Sequence, residues 1–519
     1  MIIINDLRLP LDTNFSDLTS AVSIKGVRIK SAQLYRKSVD ARKKNNIHFC
    51  CSVIVETDND SLALKRLKNA KIYSENEYKY KKCEALPELR PVVVGFGPAG
   101  IFAAYTLAKA GLRPIILERG QDVDRRTADV KSFWEGGSLN PESNVQFGEG
   151  GAGAFSDGKL TTGIKDPRCR EVLKLFHKFG AADNILTDAK PHIGTDTLAV
   201  VIKNIRNEII SLGGEVRFGH KLTKINIENG SICSIEVEAE KSYTLPLDRL
   251  LLAIGHSARD TFYMLRDCGF EMIKKPFAVG VRIEHPQSLI NRALYGDFAD
   301  HPALSAADYK LSVHLPNGRG VYTFCMCPGG FVVNASSEKG MTAVNGMSYT
   351  ARDGENANSA VLTEVLPSDL PEDVLSGIEL QREIEKAAYE ITGGKGVPVT
   401  TVGEYLYGEN SEPICSPTVR PRAVYSDIEK VFPAFINESL KGGIAELSHK
   451  LSTFSERGAV LTAPESRSSS PVRIVRDESL SSVSVFGVFP SGEGAGYAGG
   501  IMSAAVDGMK SAESIISSL

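Results

Sequence analysis

Three stretches, far apart in the chain, carry residue types and spacings suited to chemistry. The first runs Val92-Val93-Val94-Gly95-Phe96-Gly97-Pro98-Ala99-Gly100 and continues through small apolar residues to Ile115-Ile116-Leu117-Glu118-Arg119. A β-branched run enters the glycines and helix-period residues leave them, the context a dinucleotide fingerprint requires. Gly95 allows a tight turn, Gly97 lets the backbone approach a pyrophosphate, and Gly100 lets helix and strand pack closely. Pro98 and Ala99 open the helix, where free N–H groups and the dipole favour phosphate. Glu118 ends the second strand near the expected offset of ~20 residues, placed to accept from ribose hydroxyls, with Arg119 beside it. The second stretch, residues 147–160, holds five glycines between Gly148 and Gly158. Gly150, Gly151 and Gly153 permit close backbone approach to a ligand, with Lys159 as a charge partner and Leu160 closing the segment. A flexible lid is the alternative reading. The third stretch is Pro490-Ser491-Gly492-Glu493-Gly494-Ala495-Gly496-Tyr497-Ala498-Gly499-Gly500-Ile501.

The first stretch alone would serve NAD or FAD. Its pairing with a C-terminal glycine–acid–helix element decides for FAD. Glu493 would accept from ribityl hydroxyls, and a helix starting at Gly499-Gly500-Ile501 would aim positive partial charge at an anionic reduced ring. Flavin carries the redox step, so the protein need only bind, orient and tune. Three segments are candidates to face the ring. Cys325-Met326-Cys327 on a strand would put both thiols on one face, giving a redox or charge-transfer thiol at Cys327 or merely packed cysteines. Too few further ligands are visible for a metal site. His285 is the acid–base candidate, because its free pKa of ~6.5 suits proton transfer; a surface hydrogen-bonding histidine is the alternative. Arg467 or Arg473 would hold a substrate carboxylate bidentately or sit by flavin N1–C2=O, unless both belong to a structural turn.

Several elements must position these groups. Residues 1–86 read as a small α+β domain, ferredoxin-like, with strands over 2–11, 27–39 and 47–56 and helices over 16–24 and 61–69. This part carries a net charge of +6 and the remainder −9, with its densest basic run at Arg36-Lys37 and Arg42-Lys43-Lys44. A solvated hairpin is the simpler account of that run, and a contact for an acidic partner the sharper one. No aromatic interleaving supports base stacking, so a small-molecule substrate is expected rather than nucleic acid. After a linker at 87–91, residues 88–267 and 478–519 form the FAD-binding domain. An inserted β-rich substrate domain over 268–477 would cover the cofactor, with 371–391 helical and the polar stretch 345–358 a loop. No apolar run approaches the roughly 18 residues of a membrane helix. Nine cysteines without regular spacing make a disulfide framework unexpected and a reducing cytoplasm the expected location.

Strand, glycine-rich turn, long insertion and C-terminal strand–glycine–acid–helix resemble the FAD-binding half of the glutathione-reductase-type flavoproteins. The resemblance implies an α/β fold with a Rossmann-like FAD domain. Ala253-Ile254-Gly255 would match its middle Ala-x-Gly motif and Leu222 its strand near adenine, while Glu493 stands where an Asp is more usual. Residues 147–160, 322–330, 466–473 and 489–500 resemble more closely a bacterial group of FAD-dependent dehydrogenases, over nearly the whole chain. That likeness implies an oxidoreductase passing hydride between flavin and an unidentified small molecule. A flavin-bearing binding or nucleic-acid-modifying protein is the alternative. A second fingerprint is missing: Gly255-His256-Ser257-Ala258 and Gly393-Gly394-Lys395-Gly396 lack strand–helix context. NAD(P)H would therefore act as a transient reductant docking over the flavin.

Overall fold

The structure, a computed structural model, describes residues 1–75, 77–83 and 86–519. Its centre is a parallel sheet of five strands in the order Val488–Pro490, Leu250–Leu252, Val92–Val94, Ile115–Glu118, Glu215–Phe218. Parallel strands are buried on both faces, which is why these segments read as unbroken apolar runs. On one face, helices Pro98–Lys109 and Ile501–Ser517 pack against each other. Gly508 makes this approach possible, since an added Cβ there would lie 2.0 Å from the Ala99 carbonyl oxygen. The other face is covered by the antiparallel meander Lys221–Glu228, Ser231–Glu238, Tyr243–Pro246, whose Leu222, Ile225 and Ile235 share a core with Val92 and Leu117.

A short ladder between Met272–Lys274 and Val472–Ile474 leads into a second layer. There a seven-stranded sheet runs in the order Ser312–His314, Gly320–Cys327, Asn356–Val365, Phe277–Pro286, Val460–Glu465, Val397–Thr401, Ala423–Tyr425. The loop expected over 345–358 is corrected: Val344–Met347 and the start of Asn356–Val365 are strands. Asparagines are poor strand formers in isolation, but these side chains are tied to neighbouring elements. Asn358 Oδ1 accepts from Arg282 Nε at 2.8 Å, and Asn356 Nδ2 donates to the Ser416 carbonyl at 2.9 Å. The helix expected over 371–391 begins later, at Ser376.

The N-terminal sheet has the order Ile29–Asp40, His48–Thr57, Ile2–Leu9, Ala70–Ile72, every pair antiparallel. Helix Asp60–Arg66 is capped by the Asn59 side chain, which accepts from Leu62 N. The helix expected over 16–24 is a run of turns. Asn14 and Asp17 explain the difference, because each side chain captures a backbone N–H two residues on, at 3.0 Å, in competition with helix formation. Ile4, Phe49 and Val53 join one core with Val281, Ile283 and Leu440, so this sheet packs against the second layer.

Candidate functional site

A cavity of about 330 Å³ opens where the parallel strands end. Ligands of open α/β sheets bind outside the carboxyl ends of the strands. Glu118, Arg119, His220, Leu222, Thr261, Gly153, Ile501, Phe324, Cys325 and Asn345 line the cavity. Gly95, Gly97, Pro98, Ala99, Ala253, Gly255 and Glu493 line it as well, so the first and third sequence stretches share one cleft. Gly151, Lys159, Gly499, Gly500 and Arg467 are also at its wall.

Glu118 ties the surrounding backbone together. It is buried, and its carboxylate accepts from Phe96 N at 2.8 Å and from Gly120 N and Gly148 N at 2.9 Å each. A carboxylate offers about four acceptor positions, so one remains for a ligand hydroxyl. Arg119 is held by Glu142 and Asp260 and lies over the Phe147 ring, 4.1 Å from its centroid. The glycine-rich segment is pinned by Arg126, which sequence reasoning missed. Its fully buried guanidinium donates to the carbonyls of Asn144, Val145, Gly148, Glu149 and Gly151. Arg126→Met should leave those carbonyls without donors and cost about 3 kcal/mol or more, at 1–3 kcal/mol per unsatisfied buried group. A denaturation midpoint equal to wild type would contradict this role.

Several expectations need correction. Lys159 lines the cavity with its ammonium shared by Asp157 at 2.5 Å and the Met326 carbonyl, while Arg352 Nε also binds Asp157 at 2.9 Å. The loop is thereby tied to the second sheet. Leu160 points into the core beneath, its N–H on the Pro191 carbonyl. Gly100 and Gly150 do not line the cavity but support it. A Cβ on Gly100 would fall 1.8 Å from the Gly95 carbonyl oxygen, and Gly150 N donates to the Phe96 carbonyl at 2.8 Å. Gly492 likewise stands behind the wall, donating to Asp507 Oδ2 at 2.8 Å. Arg473 lies over Tyr497, away from the cavity.

Cys327 is buried behind Cys325, and it is Cys325 that meets the cavity. A bulge between Phe324 and Cys327 breaks the expected alternation. Arg467 reaches the cavity, but its fork is occupied: Glu385 takes Nε at 2.9 Å and Nη2 at 2.7 Å. His285 is fully buried in the second sheet, Nε2 bonded to the Thr453 carbonyl at 2.8 Å and its ring against Phe454. Burial lowers its pKa to about 4, against the hydrogen bond to Thr453. A base depressed when folded resists protonation there, so stability should fall as pH drops from ~6.5 toward 4, by about 3 kcal/mol. His285→Gln should flatten that slope in denaturation midpoints measured across this range. An unchanged slope would mean the group titrates normally.

The arrangement is that of an α/β dinucleotide-binding protein, and its open positions fit FAD. An added Cβ at Gly255, Gly499 or Gly500 would meet only open space. His256 Nδ1 lies 3.1 Å from Glu493 Oε1, and its buried Nε2 has no partner in the protein. Residues 276–468 match the family described as FAD-dependent protein, C-terminal domain-like, and residues 1–56 match a domain of unknown function. An uncharacterized protein of Clostridium beijerinckii is 47% identical over 99% of this chain and 98% of its own length. Among solved structures, a flavoprotein/dehydrogenase from Cytophaga hutchinsonii is 14% identical, covering 82% of this chain and 76% of that one, with a TM-score of 0.35. CtdE in complex with FAD is 11% identical, covering 83% and 84%, with a TM-score of 0.31. The chain belongs to the family of the Clostridium protein and carries the FAD-dependent C-terminal domain; FAD is its cofactor. No helix among the described residues is long and apolar enough to cross a membrane.

Proposed function

We propose that this chain is an FAD-dependent oxidoreductase, a dehydrogenase of the glutathione-reductase-type arrangement, acting in the cytoplasm on a small organic substrate. Residues 88–267 and 478–519 would hold the cofactor, 268–477 would form the substrate-side cap, and 1–86 would brace the cap. FAD, when bound, supplies two-electron chemistry. The chain's own groups bind and orient it: Gly97 and the helix starting at Pro98 at the pyrophosphate, Glu118 at the adenosine ribose, Glu493 with His256 at the ribityl chain, and the helix end at Ile501 by the ring. The observation that carries the reading is that one cavity is walled both by this helix end and by cap residues Phe324, Cys325, Asn345 and Glu465. Glu465 replaces His285 as the group to move a proton. It lines the cavity, and burial pushes its carboxyl up while Arg282, at 2.8 Å, opposes that rise.

NADH or NADPH would serve as the transient reductant. Protein purified under mild conditions should be yellow, and one of the two nucleotides should bleach it anaerobically. Colourless protein that also fails to take up added FAD would sink the proposal. Recruitment of nucleic acid is disfavoured, because Lys37 faces Asp188 at 3.4 Å and Arg42 is bonded to Asp40. No described residue of 1–86 lines the cavity.

A further inference from the structure

At the cap side of the cavity two sulfurs and two cations meet. Cys325 stands on the bulge in strand Gly320–Cys327 with φ of 41°. Few non-glycine residues adopt that left-handed conformation, and it concentrates at functional sites. Here it turns the half-buried Cys325 toward the cavity while Cys327 stays buried behind it. Cys327 Sγ also lies 3.2 Å from the Cys325 carbonyl oxygen. Arg282 is fully buried beneath them, with Nη2 2.6 Å from the Cys325 carbonyl oxygen and 3.7 Å from Cys327 Sγ. Lys159 binds the carbonyl of Met326, between the two cysteines. The facing charges are therefore Arg282 and Lys159 on one side of the balance, with Glu465 bonded to Arg282 and Asp157 shared by Lys159 and Arg352 on the other.

We propose that Cys325 and Cys327 form a redox pair that reacts with small disulfides entering the flavin cavity. Cys325 is the attacking thiolate and Cys327 the resolving thiol. The Cys325 thiolate displaces one thiolate from the incoming disulfide and forms a mixed disulfide. Cys327, giving its proton to the medium, then attacks the Cys325 sulfur and expels the second thiolate. The protein pair is oxidised by two electrons and the small disulfide is reduced to two thiols, so the exchange balances without another reactant.

The titration of the two groups agrees with these roles. The Cys327 side chain is the largest influence drawing the Cys325 thiol below its ordinary value; burial opposes it, and Lys159 and Arg282 add to it. Burial first, then Cys325, push the Cys327 thiol up, which keeps it protonated until it is needed. A lowered pKa raises the fraction of thiolate, the species that attacks a disulfide. The cavity's assignment to flavin rests on the function proposed above, but the thiol chemistry does not.

The test uses the full-length holoprotein and oxidised glutathione. Mass spectrometry should show a Cys325–Cys327 disulfide in the wild type and a stable glutathione adduct on Cys325 in Cys327→Ser. Iodoacetamide at pH 7 should label Cys325 first among the nine cysteines. Lys159→Met should slow that labelling about tenfold, the equivalent of one pKa unit. Labelling spread over other cysteines, or no adduct on Cys325 in Cys327→Ser, would overturn the proposal. Flavin content, read from the same samples by absorbance, separates the two readings. Protein that forms the disulfide but binds no FAD would spare the thiol pair and condemn the cofactor placement.

Discussion

Gly97→Val should give a folded, colourless protein. The backbone at Gly97 has φ of −80° and ψ of −172°, an extended conformation that valine adopts freely. An added Cβ would lie 3.6 Å from Gly151 Cα, an ordinary contact. The chain itself therefore tolerates a side chain there. The cofactor should not, because Gly97 is the cap of helix Pro98–Lys109, and phosphate must approach the free N–H groups just beyond it. A valine would occupy that approach, and FAD affinity should fall at least about a hundredfold, or roughly 3 kcal/mol. The neighbouring glycines make the control. A Cβ on Gly100 would sit 1.8 Å from the Gly95 carbonyl oxygen and one on Gly95 2.2 Å from that of Ala253, so alanine at either position should damage the fold itself. Flavin-to-protein absorbance with circular dichroism distinguishes the two outcomes. Full flavin content in folded Gly97→Val would show that the pyrophosphate lies elsewhere.

The same contrast explains what was legible in the sequence. The fingerprint around Gly95 could be read because its physics is local: a strand, a turn that only glycine makes, and a helix start within nine residues. Helix Ile501–Ser517 was legible for the same reason. His285 was misplaced although the information was present. In strand Phe277–Pro286 the odd positions Val279, Val281 and Ile283 form the apolar face, and a period of two puts His285 with them. Arg282 and Glu284 share the other face, and Arg282 is the one that reaches the cysteines. What the sequence could not show were partners of no particular type. Arg126 binds five carbonyls, which any five residues supply. The bulge at 324–327 depends on its pairing with Asn356–Val365, distant in the chain, and only that pairing puts Cys325 rather than Cys327 at the cavity. Arg467 was singled out, but its partner Glu385 lies 82 positions away on a helix whose inward face gave no sign of carrying charge.

Replacing Glu385 should be the most damaging single change to stability. Glu385 is fully buried on helix Ser376–Ile391 and is gripped by two guanidinium forks. Arg259 donates through Nη1 at 2.9 Å and Nη2 at 2.8 Å, Arg467 through Nε at 2.9 Å and Nη2 at 2.7 Å, and Ser466 adds a hydroxyl at 2.7 Å. Burial alone would raise this carboxyl, but the two arginines outweigh it and hold it well below the usual carboxylate range. An acid depressed when folded contributes stability that is complete above its unfolded pKa of ~4.3 and lost as pH falls through the folded value.

Glu385→Ala leaves buried Arg467 without its carboxylate and Arg259 with Glu338 alone, and breaking a buried pair usually costs about 3–5 kcal/mol. Against a total of about 5–15 kcal/mol for a native protein, that is a large share. Because Arg467 lines the cavity and Arg259 opens the helix after Ser257, the loss should also loosen the cofactor site. Charge rather than shape sets this cost, and two further variants separate them. Glu385→Gln keeps the shape, yet should still destabilise and should flatten the pH dependence below about 4. The triple change Glu385→Leu, Arg259→Met, Arg467→Met removes the three buried charges together, leaves half-buried Glu338 paired with Arg382, and should recover most of the lost stability, because apolar replacement of a buried ion cluster is often neutral. Denaturant midpoints for the three proteins decide it. If the triple variant proves less stable than Glu385→Ala, packing and not ionic balance is what this cluster supplies.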